Sequence, residues 1–85
     1  LSINKAIKFE PNSADSHINL GLIQKDLGKF EEAELSIRKA IDLKPNSADY
    51  YMNLGSLLKD IGKLEEAESV IYNAIKIMRN RILPF

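Results

Sequence analysis

The sequence predicts an all-α fold, a solenoid of stacked helical hairpins with five helices, and three observations predict it. Residues 11–44 align with 45–78 without a gap, and 19 of the 34 positions are identical. Apolar residues recur in each copy at steps of three and four, the period of a helix with one buried face. Helix-capping residues and helix breakers stand at the same places in both copies. Repetition at this period is read first, because a unit that cannot bury its own apolar face does so against its neighbour.

The chain divides into residues 1–10, two full units at 11–44 and 45–78, and an extension at 79–85. LSINKAIKFE, residues 1–10, aligns with LSIRKAIDLK at 35–44, which predicts a helix over 1–9, the second helix of a truncated unit. A helix over 14–27 follows. Ser13 is its N-cap, Asp15 sits where a carboxylate favours the helix start, and Gly28 permits the left-handed stop. His17, Leu20, Gly21, Gln24 and Leu27 share its predicted packing face. The next helix, over 30–43, has Glu31 and Glu32 in its first turn and packs through Phe30, Ala33, Ile37, Ala40 and Ile41. Pro45 closes it, as Pro11 closes the helix before.

The second unit repeats these signals. Ser47 caps a helix over 48–61 and Gly62 ends it. A helix over 64–82 opens with Glu65 and Glu66. Arg79 stands where a closing proline would fall, so this helix is expected to run on towards Pro84. Glycine inside a helix costs about 1 kcal/mol relative to alanine. The paired occurrence of Gly21 with Ala33 and of Gly55 with Ala67 therefore predicts close approach of the two helices in each hairpin, with Leu20 and Ile37 interlocking.

NLG, then G-K-F/L-E-E-A, then A-I and a proline, at a period of 34 residues, resembles the tetratricopeptide repeat. The resemblance covers residues 1–78 and implies a right-handed superhelix whose function is to bind proteins. Gln24 departs from it, lying where the family usually carries a bulky apolar or aromatic residue, whereas Leu58 conforms. Arg79 departs from it in place of the proline.

Composition excludes several classes. There is no cysteine, so neither a disulfide nor a thiolate metal site is available, and a reducing compartment such as the cytoplasm is expected. Twelve basic and twelve acidic side chains cancel, so no global field draws the chain to nucleic acid or an anionic membrane. No apolar run approaches the ~20 residues of a membrane span. The start has neither an initiator Met nor the form of a signal peptide, and the chain is expected to be an excerpt of a longer protein. Lys76, Arg79 and Arg81 follow the last acid, Glu68, and complement the negative end of the final helix.

No catalytic constellation is legible. The one histidine, His17, is on the inward face of a helix, and Asp15, two residues away, points elsewhere. Ser13 and Ser47 are explained by capping, and Tyr51 by a core position. The acidic pairs lack metal-ligand spacing. No enzyme activity, cofactor, metal, nucleic acid or membrane partner is expected.

One helical face is left over. Ile18, Asn19, Leu22, Lys25 and Asp26 point away from the packing face, and their counterparts are Met52, Asn53, Ser56, Lys59 and Asp60. Ile18, Leu22 and Met52 are expected to form an exposed apolar strip flanked by Asn19 and Asn53. An asparagine amide donates and accepts at once, so it serves an extended peptide backbone whatever the peptide's side chains. The resemblance places this face on the concave groove that receives partner peptides. Ile18 and Leu22 occupy places where the family's carboxylate clamp has Lys and Asn, which disfavours an acidic C-terminal tail as partner. The expected function is a non-catalytic protein-interaction module. The alternative is a spacer or self-assembly segment of a longer superhelix, attached to another domain such as a glycosyltransferase-like one. Apolar terminal helices on both sides also lead to the expectation of a homo-oligomer.

Overall fold

The computed structural model describes residues 10–82 of the chain. Among the described residues there are four helices and no strand: α1 (Ala14–Asp26), α2 (Phe30–Leu43), α3 (Ala48–Ile61) and α4 (Leu64–Ile82). The helix predicted over 1–9 lies outside the described residues, as does the end of the tail. α1 packs on α2 and α3 packs on α4 as two hairpins, and α2 packs on α3 to join them.

The termini are made by the residues that the repeat pattern picks out. The Ser13 hydroxyl accepts from the Ser16 backbone N–H, and Ser47 from that of Tyr50, each at 3.3 Å. These contacts satisfy donors that a helix start leaves without an intrahelical partner. Gly28 and Gly62 have φ of +81° and +97°, the left-handed conformation that a Cβ disfavours. That geometry turns the Lys29 N–H onto the Gln24 carbonyl and the Lys63 N–H onto the Leu58 carbonyl, both at 2.8 Å. Helix ends of this form satisfy carbonyls that would otherwise be orphaned. α2 stops at Leu43, two residues before Pro45, while α4, with Arg79 at the equivalent place, is 19 residues long against 14 for α2.

Two helical glycines set the hairpin spacing. A Cβ built on Gly21 would lie 2.7 Å from Ile37 Cγ1, and one on Gly55 would lie 2.5 Å from Ile71 Cγ1. Each hairpin therefore closes an isoleucine over a glycine. The predicted alanines face these glycines: the Ala33 carbonyl oxygen would lie 3.2 Å from the Cβ on Gly21 and the Ala67 carbonyl oxygen 3.6 Å from that on Gly55, and both alanines are buried. Ile37, Leu54, Leu57 and Leu58 are the largest fully buried side chains, and they belong to one cluster running through both hairpins.

The packing face of α1 is rotated from the predicted one. Its buried residues are Ala14, Ile18 and Gly21, whereas His17, Leu20 and Gln24 are half-buried and Leu27 is 66% exposed. Phe30, expected inside, is 39% exposed. Gln24, the polar departure from the repeat, accepts a hydrogen bond of 2.7 Å from Ser36 on α2. On the α2–α4 side, Arg38 reaches Glu34 and Glu66, each at 2.9 Å, and Lys63 reaches Glu34 at 3.5 Å. This ionic network ties the second helices of the two hairpins together.

Candidate functional site

The packing of α3 on α2 brings α3 alongside α1, and two contacts, one near the helix starts and one near their ends, show that the two run in the same direction. Near their starts the Tyr50 hydroxyl donates to Asp15 Oδ1. At their ends Lys25 Nζ lies 3.8 Å from Asp60 Oδ2. Both ties join residues 35 apart in sequence, one more than the repeat, so the two helices keep a single register along their length. Tyr50 is 7% exposed, and burial, with Asp15 and Asp49 adding to it, raises its pKa to about 12.

The predicted groove residues lie along these two helices. Asn19 is exposed, Leu22 is 36% exposed and Lys25 is half-buried. Met52 is 42% exposed, Asn53 is half-buried rather than exposed, and Ser56 and Lys59 are exposed. Asn19 and Asn53 stand between the two ties. Ile18 is a correction to the predicted strip. It is 7% exposed and belongs to the core, so it offers almost no surface to a partner. The cause lies in the stacking of the hairpins. Ile18 is one turn along α1 from Asp15, on the side that Tyr50 closes, whereas Met52 has no following helix beside it among the described residues.

Sequence reasoning missed two features. The first is the Asp15–Tyr50 tie, which no local pattern announces. The second is an open apolar trough of about 380 Å³ along α4, lined by Lys59, Leu64, Ala67, Glu68, Ile71, Tyr72 and Ile75. Its signal is in the sequence: Leu64, Glu68, Ile71, Ile75 and Met78 recur at steps of four and three, the spacing of a helix-pairing seam.

His17 Nε2 lies 2.8 Å from the Pro11 carbonyl oxygen, a contact that joins α1 to the chain entering it. Among the described residues no group of histidine and carboxylate side chains is placed to hold a metal ion. Nor is any helix among them long and apolar enough to cross a membrane.

Comparison with known proteins agrees with this architecture. The solved structure MamA MSR-1 C2 superimposes with a TM-score of 0.80 at 25% identity, over 85% of this chain and 41% of that one. MamA AMB-1 P212121 superimposes with a TM-score of 0.77 at 25% identity, over 84% of this chain and 39% of that one. The chain thus spans about two fifths of the length of either. No curated protein matches the sequence. Two family profiles, both described as the tetratricopeptide repeat, match residues 14–47 and 37–69. With two stacked hairpins at this period and with these matches, the chain belongs to the tetratricopeptide-repeat family.

Proposed function

We propose that this chain is a non-catalytic protein-interaction module that receives an extended peptide along the groove formed by α1 and α3. Family membership supports an interaction scaffold in general terms. The observation that carries the finer reading is the pair Asn19 and Asn53, at equivalent positions on parallel helices held in one register. Two amides on neighbouring helices are matched to a peptide backbone, which presents a donor and an acceptor at every residue. Leu22 and Met52 supply apolar contact beside them. Lys25, Ser56 and Lys59 supply the polar rim, and Ile18 acts from beneath as core. The partner is then a peptide or protein segment in extended form, bound largely through its main chain.

The test is selection of peptides from a random display library on the wild-type chain, followed by titration of the selected peptides against Asn19→Ala/Asn53→Ala. Affinity is expected to fall about tenfold or more while the thermal midpoint stays within a degree or two. Equal affinity for the double variant overturns the groove assignment.

A second reading is favoured by the trough on α4. Ile71 and Ile75 of the trough are the counterparts of Ile37 and Ile41, which are buried or partly buried on the α2 helix that α3 packs against, so this segment also fits the role of a spacer within a longer superhelix. The two readings part in the same selection, because a pure spacer yields no peptide sensitive to Asn19 and Asn53.

A further inference from the structure

The trough on α4 and the α2 surface it repeats differ in a way that stacking alone does not require. Along α2 and its C-cap the stripe reads Phe30, Glu34, Ile37, Ile41 and Lys44; along α4 it reads Leu64, Glu68, Ile71, Ile75 and Met78. Arg38 of α2 becomes Tyr72, and Pro45 becomes Arg79. Two basic positions have turned apolar, and the helix has gained a basic turn beyond the point where α2 stops. The apolar members are open to solvent: Leu64 is 62%, Tyr72 57%, Ile75 42% and Met78 41% exposed.

The change also removes a cation. On α2, Glu34 is held by Arg38 one turn on and by Lys63. On α4, Glu68 has Tyr72 at the place of that arginine, and Lys76 lies over the Tyr72 ring, 5.2 Å from its centre. The charges of α4 are segregated along its length, with Glu65, Glu66 and Glu68 in the first part and Lys76, Arg79 and Arg81 in the last.

We propose that α4 is a dimerisation surface for a second copy of this chain, the two α4 helices running antiparallel about a two-fold axis at the level of Asn73. The occupant follows from the charge order. Antiparallel pairing brings Ile71 against Ile75 of the second copy and Glu68 against its Met78. Arg79 of the second copy then enters between Glu65 and Glu68, supplying the cation that Arg38 provides on α2. The two-fold axis makes each of these contacts twice and sets Tyr72 near its own counterpart. Parallel pairing would place acid on acid and base on base. The seam spacing of four and three is what two helices in knobs-into-holes contact require.

The interface is closed, so the expected species is a dimer and not a filament. Sedimentation equilibrium of the wild-type chain from about 1 µM to about 1 mM is expected to show a single monomer–dimer equilibrium. Ile75→Asp is expected to abolish the dimer with helix content by circular dichroism unchanged. Arg79→Glu, which sets three acids together, is expected to weaken it by about tenfold or more. Glu65→Lys/Glu68→Lys/Arg79→Glu restores the complementarity and is expected to recover most of that loss. A monomer throughout the range overturns the proposal. So does mass increasing beyond the dimer, a dimer indifferent to Ile75→Asp, or a triple variant no tighter than Arg79→Glu.

Discussion

The Ser36 hydroxyl donates to Gln24 Oε1 at 2.7 Å across the α1–α2 hairpin, and one repeat later the same two places hold Val70 and Leu58. The first hairpin has thus exchanged an apolar pair for a hydrogen-bonded one. Gln24 is tolerated where the family carries a bulky apolar residue because Ser36, itself 8% exposed, satisfies it. A buried hydrogen bond contributes little net, but losing one partner leaves the other desolvated.

Ser36→Ala is therefore expected to destabilise the chain by about 0.5–1.5 kcal/mol. Gln24→Leu/Ser36→Val, which writes the second hairpin's pair into the first, is expected to be neutral or to stabilise by up to about 1 kcal/mol. Urea unfolding midpoints of the two variants check both signs.

Gly55 and Gly62 are both glycine for different reasons, and alanine separates them. At Gly55 the added Cβ falls 2.5 Å from Ile71 Cγ1, on a β-branched side chain with little rotamer freedom. Gly55→Ala is expected to destabilise by about 1–3 kcal/mol, outweighing the ~1 kcal/mol that alanine gains in helix propensity. At Gly62 nothing lies within 4 Å, so the only cost of Gly62→Ala is its φ of +97°. That cost is about 1–2 kcal/mol. Adding Ile71→Ala to each variant distinguishes the causes, since it relieves the overlap at Gly55 and does nothing for the backbone at Gly62.

The Asp15–Tyr50 tie gives the fold an alkaline limit. Tyr50 has its pKa raised from 10.0 to about 12, first by burial and then by its bond to Asp15. The unfolded chain therefore loses this proton at a lower pH than the folded chain does. The stabilisation linked to Tyr50 is complete below pH 10, declines as pH rises, and is gone above about 12. Tyr50→Phe is expected to be less stable than wild type at neutral pH and to have a flatter decline between these limits. Thermal unfolding at a series of pH values measures both.

Arg38 joins Glu34 on its own helix to Glu66 on α4, in a partly solvated setting. Exposed ion pairs contribute about 0–1 kcal/mol and are screened by salt. Arg38→Ala is expected to lower stability by no more than about 1 kcal/mol at low ionic strength, and the difference should shrink at about 1 M salt. A difference that survives high salt would mean that the aliphatic stem of Arg38, not its charge, contributes the stability.

Much of this fold was legible in the sequence because its signals are local or periodic. The four described helices begin and end within a residue of the positions that Ser13, Gly28, Pro45, Ser47 and Gly62 predict. A capping hydroxyl or a left-handed glycine acts within one turn of chain, so its effect can be read where it stands. Gly21 and Gly55 were legible as close-approach sites because each repeats at the cost glycine carries in a helix. The tertiary structure alone decided which faces are covered. Ile18 and Met52 occupy the same place in the repeat, yet Ile18 is buried beneath the α1–α3 junction and Met52 is open. Tyr50 became the tie to Asp15, while Ser16, its counterpart, did not enter the core. These outcomes depend on which helix lies beside which, at separations of some 35 residues, and helical periodicity records the direction of a side chain but not what waits there to cover it.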